Sequence, residues 1–169
     1  MAVYKNISGE LTQELLSTED NLSVSEIYLT NTQKVSKCKV DLYVEKKLTG
    51  KFYLLKAIEL PIGATLIYDN AKLGSITNES ALYIKLTDGA TFTLTGSIDP
   101  AASTTVPGVN TLFLSEVSVG DEILVSSETR IVSAIASDTS LTVTAATTNT
   151  ANDTTPDCNP TALVDVIIS

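Results

Sequence analysis

The feature that most constrains this chain is a period-two alternation of apolar and polar residues, sustained almost from end to end and broken by short turn clusters. CKVDLYVEKK at 38–47 shows it most cleanly: Cys38, Val40, Leu42 and Val44 share one face, and charged or polar residues take most of the other. Such a pattern suits a half-buried strand and no helix. Leu-Thr-Gly at 48–50 reads as a hairpin turn, returning the chain antiparallel as KFYLLKAIEL at 51–60. Pro61-Ile62-Gly63 is a turn before TLIYD at 65–69, and SALYIKL at 80–86 is a further strand. In LSVSEIYLTN at 22–31, Leu22 and Val24 keep one parity while Ile27 and Leu29 keep the other, which predicts a bulge near Ser25–Glu26. LTQELL at 11–16 is compatible with a helical turn or a first strand.

Beyond Asp88-Gly89 the composition changes. TFTLTG at 91–96 reads as a strand, SIDPAASTTVPGVNT as a loop, and EILVS (122–126), RIVSAIA (130–136) and SLTVTAA (140–146) as three strands on tight polar connections. TTNTANDTTPDCNP at 147–160 is almost wholly polar, and LVDVIIS at 163–169 is strongly apolar. A final strand this hydrophobic needs covering, and the strands before position 88 supply the matching faces. The expected fold is therefore all-β: an antiparallel, jelly-roll-like β-sandwich of residues 1–90 plus 160–169. A small β-barrel-like module at 91–150 is inserted before the closing strand, with 147–160 as linker.

The 169 residues are 43% hydrophobic, enough for a real core, while aromatics are 5% with no Trp. The formal charge is −9, and after position 90 the only basic residue is Arg130, so the second half presents the more acidic surface. An acidic chain repels phosphate backbones, which argues against nucleic-acid binding. No run approaches the ~18 apolar residues of a membrane span. The opening MAVYKNISGE lacks the basic and apolar regions of a secretory signal. With no such signal, Cys38 and Cys158 are expected as reduced thiols, Cys38 as a small buried hydrophobe.

Catalytic chemistry finds little to use. Histidine is absent, which removes the usual base, the commonest metal ligand and every Ser-His triad. Two distant cysteines cannot build a zinc site, and no phosphate-binding glycine motif occurs. Glu19-Asp20 and Asp121-Glu122 are adjacent, so on a strand they point to opposite faces and make poor acid–base pairs. Gly120-Asp121 reads as a turn leading into a strand. Asn152, Asp153, Asp157 and Asn159 form an oxygen-rich loop, the candidate ligand loop of the chain, though their spacing matches no EF-hand. No cofactor, catalytic residue or metal site is expected.

Two stretches carry a resemblance. Residues 22–88, with Leu29-Thr30-Asn31-Thr32, VDLYV at 40–44, LLKAIELPIGATL at 54–66 and ITNESALYIKLT at 76–87, closed by ALVDVIIS at 162–169, resemble small β-sandwich virion proteins of tailed bacteriophages. TTVPGVNTLFLSEVSVGDEILVSSETRIVSAIASDTSLTVTAA at 104–146 resembles a β module recurring in phage fibre, tail and decoration proteins. The resemblance implies a non-enzymatic structural protein of the virion, decorating or cementing capsid, neck or tail. It would be assembled in the host cytoplasm, homo-oligomeric, and partnered by other virion proteins rather than by nucleic acid or membrane. A fibre- or baseplate-associated module binding host-surface glycan is the alternative. Subunit contacts should bury apolar residues at strand edges or in loops, for which Tyr28, Tyr53, Ile62, Leu112, Phe113 and Leu114 are the candidates.

Overall fold

A computed structural model describes residues 2–20, 22–69 and 79–169. Residues 70–78, part of the first stretch carrying the resemblance, lie outside the described residues. The described chain is all-β and antiparallel, apart from one helical turn. It divides into two compact units: Met1–Gln33, Lys37–Asp88 and Ala162–Ser169 make the first, Lys34–Ser36 and Gly89–Thr161 the second.

The first unit holds β1 (Val3–Ser8), β2 (Gln13–Leu16), β3 (Glu26–Asn31), β4 (Cys38–Lys46), β5 (Gly50–Leu60), β6 (Thr65–Asp69), β7 (Ser80–Thr87) and the last strand of the chain, β15 (Leu163–Ile168). Two four-stranded sheets result, in the orders β1-β15-β3-β6 and β2-β7-β4-β5. Most successive strands alternate between the sheets, and the final strand lies inside the first; this is the order of a jelly roll. Its core joins inward residues of both sheets, among them Ile7, Leu15, Ile27, Leu29, Leu42, Leu82, Ile84 and Leu86, with Val164, Val166 and Ile168 from β15. Each such side chain contributes roughly 2 kcal/mol on burial, which is why so apolar a strand takes an interior position. The parity slip in the third strand is a bulge: the N–H groups of Ser25 and Glu26 converge on the carbonyl of Ser169, at 2.7 and 3.2 Å.

The second unit holds β8 (Phe92–Thr93), β9 (Ser97–Ile98), β10 (Thr105–Val109), the turn α1 (Phe113–Glu116), β11 (Glu122–Val125), β12 (Glu128–Ser137), β13 (Ser140–Val143) and β14 (Asp157–Asn159). They form one sheet in the order β8-β14-β11-β12-β13-β10-β9. Its two ends are drawn together, because Ile98 in β9 exchanges both backbone hydrogen bonds with Asp153, at 2.8 Å each, just ahead of β14. The sheet thereby curls around its own core of Leu94, Ile98, Val106, Phe113, Val117, Ile123, Val125, Val132, Leu141, Val143 and Cys158. Ser126 and Ser127, both at positive φ (49° and 69°), make the β11–β12 turn, whose hand matches the twist of a tight hairpin.

Two expectations need correction. Residues 147–160 are no linker: β14 pairs with both β11 and β8, and the Pro156 carbonyl accepts the N–H of Leu94 at 2.8 Å, so the stretch completes the second unit. Short strands supply the missing ladder partners even in a run this polar. The supposed loop 97–111 likewise contains β9 and β10. Pro107 is tolerated there because it lies where β10 changes partner, from β13 at Thr105–Pro107 to β9 at Gly108–Val109.

Candidate functional site

The most distinctive surface lies on the outer face of the sheet β1-β15-β3-β6. Tyr4 is registered against Ile167, Ile167 against Tyr28, and Tyr28 against Ile67, so four large side chains form one unbroken row across all four strands. Tyr4 is 71% exposed, Ile67 57% and Ile167 37%; Tyr28 is half-buried. On one side runs the polar row Asn6, Asp165, Thr30 and Thr65, tied by Asn6 Nδ2 to Asp165 Oδ1 at 2.6 Å and by the two threonine hydroxyls at 2.9 Å. On the other side Glu26 is registered against Asp69, and the Tyr28 hydroxyl donates to Glu26 at 2.5 Å. That bond raises the pKa of Tyr28, and the Glu26 charge adds to the effect. Within these rows no lysine or arginine is present, so the apolar strip has an acidic border.

The outer face of the other sheet differs in kind. Tyr53, Tyr43 and Tyr83 form a ladder across β5, β4 and β7, with ring centroids 5.3 and 5.6 Å apart. Lys51 Nζ stands 4.6 Å from the Tyr43 ring and Lys56 Nζ 4.3 Å from that of Tyr53. Lys56 also pairs with Asp41 at 2.6 Å. These contacts hold the ladder: Tyr43 is buried, Tyr83 is half-buried and Tyr53 is 47% exposed. Beyond the ladder the β4–β5 hairpin carries Lys46, Lys47, Leu48, Lys51 and Phe52, all exposed, with Lys51 on the ladder's face and Phe52 on the opposite one. Leu48, at φ 66°, has 102% relative exposure, a bulky apolar residue in a turn position that usually falls to Gly or Asn.

The candidate ligand loop borders a cleft of about 400 Å³ in the second unit, lined by Ser126, Ser127, Asn149, Asn152, Asp153 and Asp157 among others. Its acids are engaged. Asp153 accepts the N–H groups of Ser126 and Thr155, at 2.6 and 3.0 Å, and Asp157 accepts the Thr93 hydroxyl at 2.8 Å. Asn159 does not line this cleft; its amide donates to Glu122 at 3.3 Å. Beside the cleft, Glu128 accepts the hydroxyl and N–H of Thr148 and the N–H of Asn149, and pairs with Arg130. These donors, the Thr148 hydroxyl first, pull its pKa down to about 2. Among the described residues no group of three or more His, Cys, Asp or Glu is placed to hold a metal ion.

Of the six expected contact residues, Tyr53, Ile62, Leu112 and Leu114 are substantially exposed and Tyr28 belongs to the apolar row. Phe113 is a correction. It opens the turn α1 and is fully buried in the core of the second unit, because that turn directs it inward while Leu112 and Leu114 face out. Sequence reasoning missed Tyr4, Ile67, Ile167 and Leu48. The first three sit on outward parities, and only the register of four strands reveals them as neighbours; Leu48 was legible as an apolar residue inside a hairpin turn. No family model matches the chain, and no curated protein matches it.

Proposed function

We propose that this chain is a structural protein of a tailed-bacteriophage virion, which decorates or cements the capsid, neck or tail and works by surface contact rather than by catalysis. The observation that carries the reading is the exposed row Tyr4–Ile167–Tyr28–Ile67, since a contiguous apolar strip rimmed by polar residues is what a protein contact covers. The resemblance of residues 22–88 and 104–146 to virion modules supports the same class. The jelly-roll order agrees with it, but that architecture is shared by capsid and lectin domains, so the fold alone supports no choice of role. In this reading the protein assembles in the host cytoplasm and stays on the particle with copies of itself and other virion proteins. Protein mass spectrometry of purified particles tests it: the chain is expected in stoichiometric amount, and its absence refutes the proposal.

One observation favours a second reading, a fibre- or baseplate-associated module for host-surface glycan: the polar cleft beside 149–157. Asp153 and Asp157 hold the loop itself, as does Asn149 through Ser126 and Ala151, so the informative variants are Asn152→Ala and Thr154→Ala. Glycan-array signal lost in both would support this reading, and an array without signal for the wild type would remove it.

A further inference from the structure

We propose that copies of this protein join through the β4–β5 hairpin tip of one copy and the apolar row on the β1-β15-β3-β6 sheet of another. The two surfaces are complementary in both respects that decide recognition. The tip offers an apolar pair, Leu48 and Phe52, beside Lys46 and Lys47, with Lys51 turned to the Tyr43 ring and with Glu45 and the exposed Glu79, cross-strand from Lys47, as the neighbouring acids. The row offers Tyr4, Ile167, Tyr28 and Ile67 between the carboxylates of Glu26 and Asp69 on one side and Asp165 on the other. A tip whose three lysines outnumber its two glutamates therefore meets a row bordered by three carboxylates, around an apolar centre, the arrangement of a specific contact with a buried middle and a charged rim. Leu48 is the anchor: it stands wholly in water at a positive φ, where a leucine gains nothing in the isolated chain.

The acidic border also decides against the simplest alternative. Stacking two apolar rows face to face would bring Glu26, Asp69 and Asp165 of one copy against the same carboxylates of the other, a like-charge encounter. The hairpin tip groups Lys46, Lys47 and Lys51, and it belongs to the other sheet of the same unit. Each copy then carries one donor and one acceptor surface, so contacts repeat from copy to copy and can close by symmetry. The inference rests on these two surfaces and not on the virion reading; a free-standing oligomer would satisfy it as well as an assembled particle.

The test is the oligomeric state of the full chain by light scattering after gel filtration, with circular dichroism confirming the fold of each variant. The wild type is expected to be oligomeric at micromolar concentration and to dissociate progressively with salt. Leu48→Asp should weaken association by roughly a hundredfold, the loss of one buried leucine. A tip reversal, Lys46→Glu with Lys47→Glu, should give folded monomers, as should a row reversal, Glu26→Lys with Asp69→Lys. All four substitutions in one chain should restore the oligomer. A monomeric wild type, an oligomer indifferent to Leu48→Asp and both reversals, or a four-fold variant that stays monomeric would each overturn the proposal. Particle mass spectrometry reads the virion question separately, so either reading can fail while the other stands.

Discussion

Asp121 and Thr161 are 40 residues apart in sequence, yet the fully buried carboxylate of Asp121 accepts the backbone N–H of Thr161 at 3.0 Å. Its second oxygen accepts the N–H of Ser118 at 2.8 Å and lies 3.9 Å from the Cys158 thiol. One side chain thus holds the turn before β11 and the last residue of the second unit. Asp121→Ala leaves both N–H groups without this acceptor, at a cost of about 3 kcal/mol. Asp121→Asn retains one acceptor oxygen and should cost about half as much. Urea unfolding followed by circular dichroism, suited to a chain without Trp, measures both; equal stability in all three proteins would contradict the assignment.

Glu128 sets an acid limit on the same unit. Its pKa falls from 4.5 to about 2 on folding, chiefly through the Thr148 hydroxyl and N–H. Because the folded value is the lower one, its stabilisation is fully present above pH 4.5 and disappears as pH falls toward about 2. The wild type should therefore melt above Glu128→Gln at neutral pH, and the gap should close through that window. A gap unchanged at low pH would count against the ionic role.

Both thiols should be inert in the folded protein. Burial, then the charge of Asp88, pushes Cys38 up to about 11. Burial and the neighbouring Asp121 push Cys158 up to about 12. At mildly alkaline pH iodoacetamide is expected to label neither until denaturant is added. Rapid labelling of either thiol in the native protein would contradict this.

The turn α1 gives a sharp contrast between neighbours. Phe113→Ala removes a fully buried ring and should cost about 4 kcal/mol. Leu114→Ser, at a site 53% exposed, should change monomer stability by no more than about 0.5 kcal/mol. Thermal melts of the two variants decide it, and similar losses would place Leu114 in the core.

The strands legible in the sequence are those whose inward positions are all apolar. β4 is read correctly from Cys38, Val40, Leu42 and Val44, and β15 from its hydrophobic run. β1 escaped notice because Lys5 occupies an inward parity between Val3 and Ile7; its ammonium group donates to the Glu14 carbonyl at 2.8 Å. β9 and β14, of two and three residues, are too short for any period to show, and β10 is disguised by Pro107-Gly108. The candidate surface was less legible than the fold. Tyr28 could be singled out, but its partners Tyr4, Ile167 and Ile67 come from three other strands of the sheet, and register is a property of the folded sheet.

The most direct test of the virion reading is immunogold electron microscopy of purified particles with an antibody to this chain. The account predicts label at a fixed place on head, neck or tail in nearly every particle. Particles that are free of label, with the protein recovered only in the soluble fraction of the lysate, would contradict it.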